Sequence, residues 1–308
     1  MDRREFLEQV AAWSAGACLA TPVFNVSSIL AAEGKAKGQS LLAVAKGKDY
    51  AALDEQVMKP LGGIAAFVSK GDRVVVKPNI GWDRTPEQGA NTNPDVVKSV
   101  VQQCLDAGAK RVLVFDRSVN AARRCYVKSG IQAAVESIGD SRAQCIILEE
   151  SKLVPVQIKK AKSLKEFQFY QDALATECDC YVNLPIAKHH CLSKLTIGMK
   201  NAMGVIGGNR GEIHKGIHQR IAELNLVIRP KLTIVDATRI LLRNGPTGGK
   251  LEDVKVLDTL IASADPVAAD AYATTLFGMK PEQLGSTVAA AKLGLGEMDL
   301  SKVKVLSA

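Results

Sequence analysis

Five short apolar runs constrain this chain more than any other feature: Arg73-Val-Val-Val-Lys77, Arg111-Val-Leu-Val-Phe115, Cys145-Ile-Ile-Leu148, Cys180-Tyr-Val-Asn-Leu184 and Lys231-Leu-Thr-Ile-Val235. Hydrophobicity that is continuous rather than alternating marks strands buried on both faces, as in a parallel sheet covered by helices. Between the first two runs, Asn93-Pro94-Asp95 opens a stretch that puts Val96, Val97, Val100, Val101, Cys104 and Leu105 on one helical face, and Gly108 follows it. Asn at the N-cap, Pro in the first turn and Gly past the end bracket a helix. The segment Arg73 to Phe115 therefore reads as a strand–helix–strand crossover. Further helices are expected over 50–68, 163–175, 212–226, 266–277 and 286–293. The expected fold is α/β, with a mainly parallel sheet and helices on both faces. It occupies residues 40–308, either as one unit or as two lobes dividing near residue 160.

Residues 1–32 read as a targeting segment. Arg3-Arg4-Glu5-Phe6-Leu7 fits the twin-arginine pattern R-R-x-F-L, and a moderately apolar run from Val10 to Phe24 follows it. That run is short and contains Gly, Ser, Thr and Pro22, so no transmembrane span is expected in the mature chain. The expectation is export by the twin-arginine route to the periplasm. Leu30-Ala31-Ala32 is the candidate cleavage site, and Ala15-Gly-Ala-Cys18 is a weaker lipoprotein box. The twin-arginine route moves folded proteins, often with a cofactor already inserted, which raises the question of a cofactor here.

The net charge of +8 raises the local concentration of anions without saying which. Aromatic residues make up only 5% of the chain and no nucleic-acid motif occurs, so the expected partner is a small anionic molecule and not nucleic acid. Beyond residue 32 the cysteines are 104, 125, 145, 178, 180 and 191. An even number in an exported protein permits disulfides, but a chain of this length can bury a core without them.

In an open parallel sheet, ligands bind beyond the carboxyl ends of the strands. Here those ends read Lys77-Pro78-Asn79, Asp116-Arg117-Ser118, Asn183-Leu-Pro185 leading to Lys188-His189-His190, and Asp236-Ala-Thr-Arg239. All four histidines (His189, His190, His214, His218) fall in the same part of the chain, among Lys188, Lys194, Lys200, Arg210 and Lys215. Lysine offers a mobile charge with three donors for carboxylate or phosphate, and histidine titrates near neutrality. Lys77, Asn79, Lys200 and Asn201 are therefore the candidate ligand-binding residues. His190 and Lys188 are the candidate catalytic pair, with Asp236 as orienter of His190 or of a bound metal.

Gly204-Val-Ile-Gly207-Gly208-Asn-Arg210-Gly211 precedes a helical stretch, so Gly207 and Gly208 could bring backbone N–H groups onto an anion, with His214 beside them. The spacing is not that of a dinucleotide fingerprint, and Asn244 to Lys250 departs from a P-loop. His214 and His218, four apart, would share a helical face, but Lys215 stands where a metalloprotease needs Glu. Cys178 and Cys180, two apart at a strand start, would point the same way and, with Cys191, could hold an iron–sulfur cluster or another soft metal. Plain buried thiols are the competing explanation.

With these residues assembled, the chain resembles the family known as domain of unknown function 362, found in bacteria and archaea and sometimes attached to iron–sulfur ferredoxin modules. The resemblance rests on Lys77-Pro-Asn79, Asp179-Cys-Tyr-Val-Asn-Leu-Pro185, Lys188-x-His190, Lys200-Asn201-x-x-Gly204, His214, Asp236, Gly245-Pro246 and Asp265-Pro-Val-Ala-Ala-Asp270. It runs from about 70 to 280, and the ferredoxin cysteine run is missing. The resemblance implies a site at these residues and carries no reaction. Three functions follow. The first is an exported protein binding a small anionic ligand or cofactor in a Lys/His/Asn-lined crevice. The second is an iron–sulfur or metal-dependent redox protein using Cys178, Cys180, Cys191 and the histidines. The third is a non-catalytic accessory protein that docks a partner through its basic face.

Overall fold

The computed structural model describes residues 39–308. The expected targeting segment over 1–32, with its cleavage site and Cys18, lies outside them. The strands are β1 (Leu41–Lys46), β2 (Arg73–Pro78), β3 (Arg111–Val114), β4 (Ala143–Cys145), β5 (Leu153–Gln157), β6 (Glu166–Tyr170), β7 (Cys180–Leu184), β8 (Ile186–His190), β9 (Lys194–Thr196), β10 (Leu232–Leu241), β11 (Val254–Ser263) and β12 (Lys304–Ser307). Ten of them form one sheet in the order β12-β1-β11-β10-β7-β2-β3-β4, with β8 beside β10 and β9 beside β8. The central run from β10 through β7, β2 and β3 to β4 is parallel, whereas β11 is antiparallel to both its neighbours. The β2–β7 pairing makes the sheet continuous across residue 160.

Both faces are covered, for the reason the apolar runs imply. Val74, Val76, Val112, Val114, Cys180 and Val182 pack with Leu53, Val57, Val97, Val101 and Ile131. Val75, Leu113 and Tyr181, at the alternating positions, pack with Met199, Ile221, Val267 and Ala290. The helix Pro94–Asp106 starts as its sequence demands, with the Asn93 side chain accepting from the Asp95 N–H at 2.9 Å. Its apolar stripe, Val96 to Leu105, is fully buried.

Four expectations require correction. Residues 163–175 are not a helix. Glu166–Tyr170 pairs antiparallel with β5, because Phe167 and Phe169 alternate with Gln168 at the strand period. The run Cys145–Leu148 is not a full strand: β4 ends at Cys145 at the edge of the sheet, and Ile147 is exposed. The expected helix over 50–68 stops at Met58 and gives way to two short 3-10 turns, where Pro60 and the positive-φ pair Gly62 and Gly63 break the repeat. The stretch 212–226 divides at Gly216, whose φ of 81° separates a 3-10 turn, Arg210–His214, from the helix Ile217–Leu224. Helices Pro266–Thr275 and Gly285–Lys292 form close to the expected positions. Among the described residues no helix is long and apolar enough to cross a membrane.

Candidate functional site

The carboxyl ends of β2, β3 and β8 and the short helix Gly198–Asn201 surround a cavity of about 530 Å³. Lys77, Asn79, Asp116, Lys188, His190, Lys200, Asn201, Arg210 and His214 line it, with Trp82, Val119, Leu192, Met203 and Pro246 as an apolar part of the wall. Residues distant in sequence thus meet at the sheet rim. Among the described residues five lining side chains are basic (Lys77, Arg117, Lys188, Lys200, Arg210), against one carboxylate, Asp116.

Lys77 is fully buried at the end of β2. Its Nζ lies 2.8 Å from Asp116 Oδ1 and donates to Asn201 Oδ1 and to the Pro78 carbonyl, each at 2.8 Å. Asp116 Oδ2 accepts from the Ile80 N–H at 2.6 Å. Burial presses the Lys77 pKa down while Asp116 holds it up. Asn201 also donates to the Lys77 carbonyl at 2.9 Å and to Asn183 Oδ1 at 2.8 Å, so one amide ties two strands to the helix. Space for this network depends on Gly204: a Cβ there would lie 1.8 Å from Asp116 Oδ1 and 2.4 Å from Lys77 Nζ.

Lys188 and Lys200 are different. Lys188 Nζ donates to Asn79 Oδ1 at 3.0 Å and to the Ala90 carbonyl at 2.5 Å, while Lys200 Nζ donates to Met203 Sδ at 3.1 Å. Neither forms an ion pair among the described residues. Burial pushes Lys188 down to about 7, against the opposing Asp116 charge and helped by the neighbouring Lys200 and Lys77 charges. Burial and Arg210 bring Lys200 to about 8. At neutral pH Lys188 is near its midpoint of protonation and Lys200 is still mostly charged, so an arriving anion can draw a proton chiefly onto Lys188 there and onto both at higher pH.

His190 has a defined tautomer. Its Nδ1 accepts from the Leu192 N–H at 3.0 Å and the Ser193 N–H at 3.3 Å, so the neutral ring carries its proton on Nε2. Burial, then the Lys200 and Lys188 charges, push its pKa down to about 3. The imidazole is therefore a neutral Nε2–H donor, which suits it to polarise a ligand oxygen better than to remove a proton.

Lys77, Asn79, Lys188, His190, Lys200, Asn201 and His214 all line the cavity: the first four come from β2, β8 and the loop after β2, Lys200 and Asn201 from the short helix, and His214 from the 3-10 turn Arg210–His214. Asp236 does not join them. Its carboxylate accepts from the Asn93 N–H, the Thr238 N–H and the Thr238 hydroxyl, at 2.7 to 2.9 Å, and so secures the start of the helix Pro94–Asp106 instead of orienting His190. Gly207 and Gly208 also fall outside the lining. Gly207 donates to the Gln168 carbonyl and lies so close to Leu153 that a Cβ would reach within 2.2 Å, so this pair fits the loop against the β5–β6 hairpin. His214 and His218 do not share a helical face, because Gly216 intervenes; His218 packs against Gly285.

The three cysteines proposed as metal ligands are not brought together. Cys180 faces the helices on one side of the sheet, Cys178 packs on the other, and Cys191 is exposed on the cavity wall. Cys178 precedes β7, so the two-residue spacing does not set its direction. Burial raises both Cys178 and Cys180 to about 12, which keeps them as thiols. Among the described residues no group of three His, Cys, Asp or Glu is placed to hold a metal.

Asp116 and Arg210 are the residues that sequence reasoning left out of the site. Asp116 was visible as a strand-end carboxylate. Arg210 sits in the glycine loop, where its Nη1 and Nη2 donate to the Arg117 and Ser118 carbonyls at 2.7 and 3.0 Å, holding the guanidinium at the cavity it lines.

Two known proteins are similar to this chain over most of its length. A thylakoid-associated protein of Synechocystis sp. is 27% identical over 251 residues, which cover 78% of this chain and 73% of that protein. A crystal structure from Thermotoga maritima aligns with a TM-score of 0.44 at 13% identity, covering 76% of this chain and 60% of that one. The family described as domain of unknown function DUF362 matches residues 74–275, and this chain belongs to that family.

Proposed function

We propose that the protein binds a small anionic ligand, a carboxylate or phosphate compound, in the cavity at the strand ends. The observation that carries this reading is the pair Lys188 and Lys200, both buried on the cavity wall and, among the described residues, with no carboxylate in ion-pair contact, Asp116 being already paired with Lys77. A buried cation without a counter-charge is costly, and a ligand carboxylate or phosphate supplies one. Lys77 and Asn201 hold the inner wall, Arg210 adds a planar donor group, and His190 offers Nε2–H to a ligand oxygen. Asn79 fixes Lys188.

Binding should be linked to proton uptake. In the free protein Lys188 and Lys200 lie near 7 and 8, and a bound anion raises both toward their ordinary values. Affinity should therefore fall as pH rises from ~6 to ~9, since the charged forms are lost across that window. Titration calorimetry with citrate, fully ionised at ~pH 8, in two buffers of different ionisation enthalpy, reads the protons taken up by the protein. Net uptake is expected, and release or no exchange would count against the reading.

Export is part of the same proposal, on the strength of Arg3-Arg4-Glu5-Phe6-Leu7. Replacing both arginines by lysine should leave the protein in the cytoplasmic fraction of the host. Unchanged periplasmic recovery would remove this element without touching the site.

A further inference from the structure

We propose that Lys200 is an amine nucleophile and that the cavity takes a carbonyl compound bearing a carboxylate or phosphate, joining it to Lys200 as an imine. This rests on the anion-binding reading and adds a covalent step and a substrate class to it.

Three lysine amines reach the cavity, and their surroundings set them apart. Lys77 is engaged by Asp116, Asn201 and the Pro78 carbonyl. Lys188, at 1% exposure, gives two of its N–H bonds to oxygen acceptors. Lys200 is more open, at 9%, and its partner is a thioether sulfur. Sulfur of this kind is a weak acceptor that makes little demand for an ammonium. A neutral amine loses almost nothing in that place and keeps a lone pair to present to the cavity. Burial and Arg210 bring its pKa to about 8, against a smaller opposing influence of Cys191. A desolvated lysine beside another cation is the usual way an amine becomes reactive at neutral pH.

The neighbouring groups suit the step. Arg210 is set to take the anionic end of the substrate. His190, as a fixed Nε2–H donor, is set to polarise the carbonyl oxygen. The Nζ lone pair forms a C–N bond while the carbonyl π pair moves onto oxygen. The carbinolamine then loses that oxygen as water, which carries away both amine protons as C=N forms. No electrons are gained or lost overall, and no co-reactant is needed.

Pyridoxal 5′-phosphate, an aldehyde carrying a phosphate, is the probe. Intact protein is incubated with it near pH 8, reduced with borohydride and digested, and each lysine is quantified by mass spectrometry. Lys200 should be labelled about tenfold or more faster than a typical surface lysine, because far more of it is neutral at that pH. Excess pyrophosphate should protect it, and Lys200→Arg should lose the fast-reacting site while keeping a cation there. Label confined to surface lysines, or found on Lys188 in place of Lys200, overturns the assignment. If Lys200 stays unlabelled in protein that pyrophosphate still stabilises against heat, the imine step alone falls. If no anion stabilises the protein either, the binding reading falls with it.

Discussion

Asp116→Ala is expected to destabilise the protein by about 3–5 kcal/mol, the range for removing one partner of a buried ion pair. Lys77 is fully buried, and Asp116 is its carboxylate partner, 2.8 Å away. Without it, the ammonium keeps only the neutral oxygens of Asn201 and Pro78, and the Ile80 N–H loses its acceptor. The loss should also acquire a pH dependence of defined sign. Burial already lowers the Lys77 pKa, and removing Asp116 lowers it further. The folded variant then binds fewer protons than the unfolded chain at any pH between that lowered value and ~10.4. Its stability should rise with pH through this window and fall as pH drops through the folded value. Urea unfolding of the variant and the parent between ~pH 7 and ~10 tests both parts. A loss below about 1 kcal/mol, or one that grows with pH, would show that the pair does not organise the rim.

Gly204→Ala should be nearly as damaging although it adds a single methyl group. That methyl would lie 1.8 Å from Asp116 Oδ1 and 2.4 Å from Lys77 Nζ, both buried, and Gly204 itself is buried. Overpacking ordinarily costs about 1–3 kcal/mol. Here the displaced atoms are a buried charged pair held by several hydrogen bonds, so a loss near the top of that range, about 3 kcal/mol, is expected. The same change at Gly216 meets no atom within 4 Å and serves as the comparison, although its positive φ carries a modest penalty of its own. Thermal unfolding of the two variants should separate them clearly. Equal losses at both positions would mean that backbone conformation, and not the crowding of the Lys77–Asp116 pair, decides the effect.

The sheet centre was legible because continuous apolar runs have one physical explanation, burial on both faces. The runs at Arg73–Lys77, Arg111–Phe115 and Cys180–Leu184 became β2, β3 and β7. The edge was harder to read. Cys145–Leu148 carries the same composition, but a strand with one neighbour can stop early, and β4 does. The aromatic run at Glu166–Tyr170 fits either period, and its pairing with β5 decided the outcome. Most cavity residues could be found from the strand-end rule, because Lys77, Asn79, Lys188 and His190 follow directly from where their strands stop. Asp236 reads as a strand end, but β10 continues to Leu241, so Asp236 lies inside the strand and its carboxylate is taken up by the Asn93 and Thr238 N–H groups. Local spacing also misled at Cys178 and Cys180, where the strand begins only at Cys180 and the period-two rule does not reach back to Cys178. The glycine loop contributes through Gly204 and Arg210, a division that depends on the β5–β6 hairpin occupying the space behind Gly207.

The central claim is that the buried lysines at the sheet rim are completed by a small anion. Its most direct test is the thermal unfolding midpoint of the parent protein and of Lys188→Ala in the presence of orthophosphate, pyrophosphate, citrate and oxaloacetate, each against chloride at matched ionic strength. A ligand at a hundred times its Kd stabilises by about 2.7 kcal/mol, a shift well within reach of measurement. At least one multivalent anion should raise the midpoint of the parent and leave that of Lys188→Ala unmoved. Equal shifts in both proteins, or none with any anion, would contradict the claim.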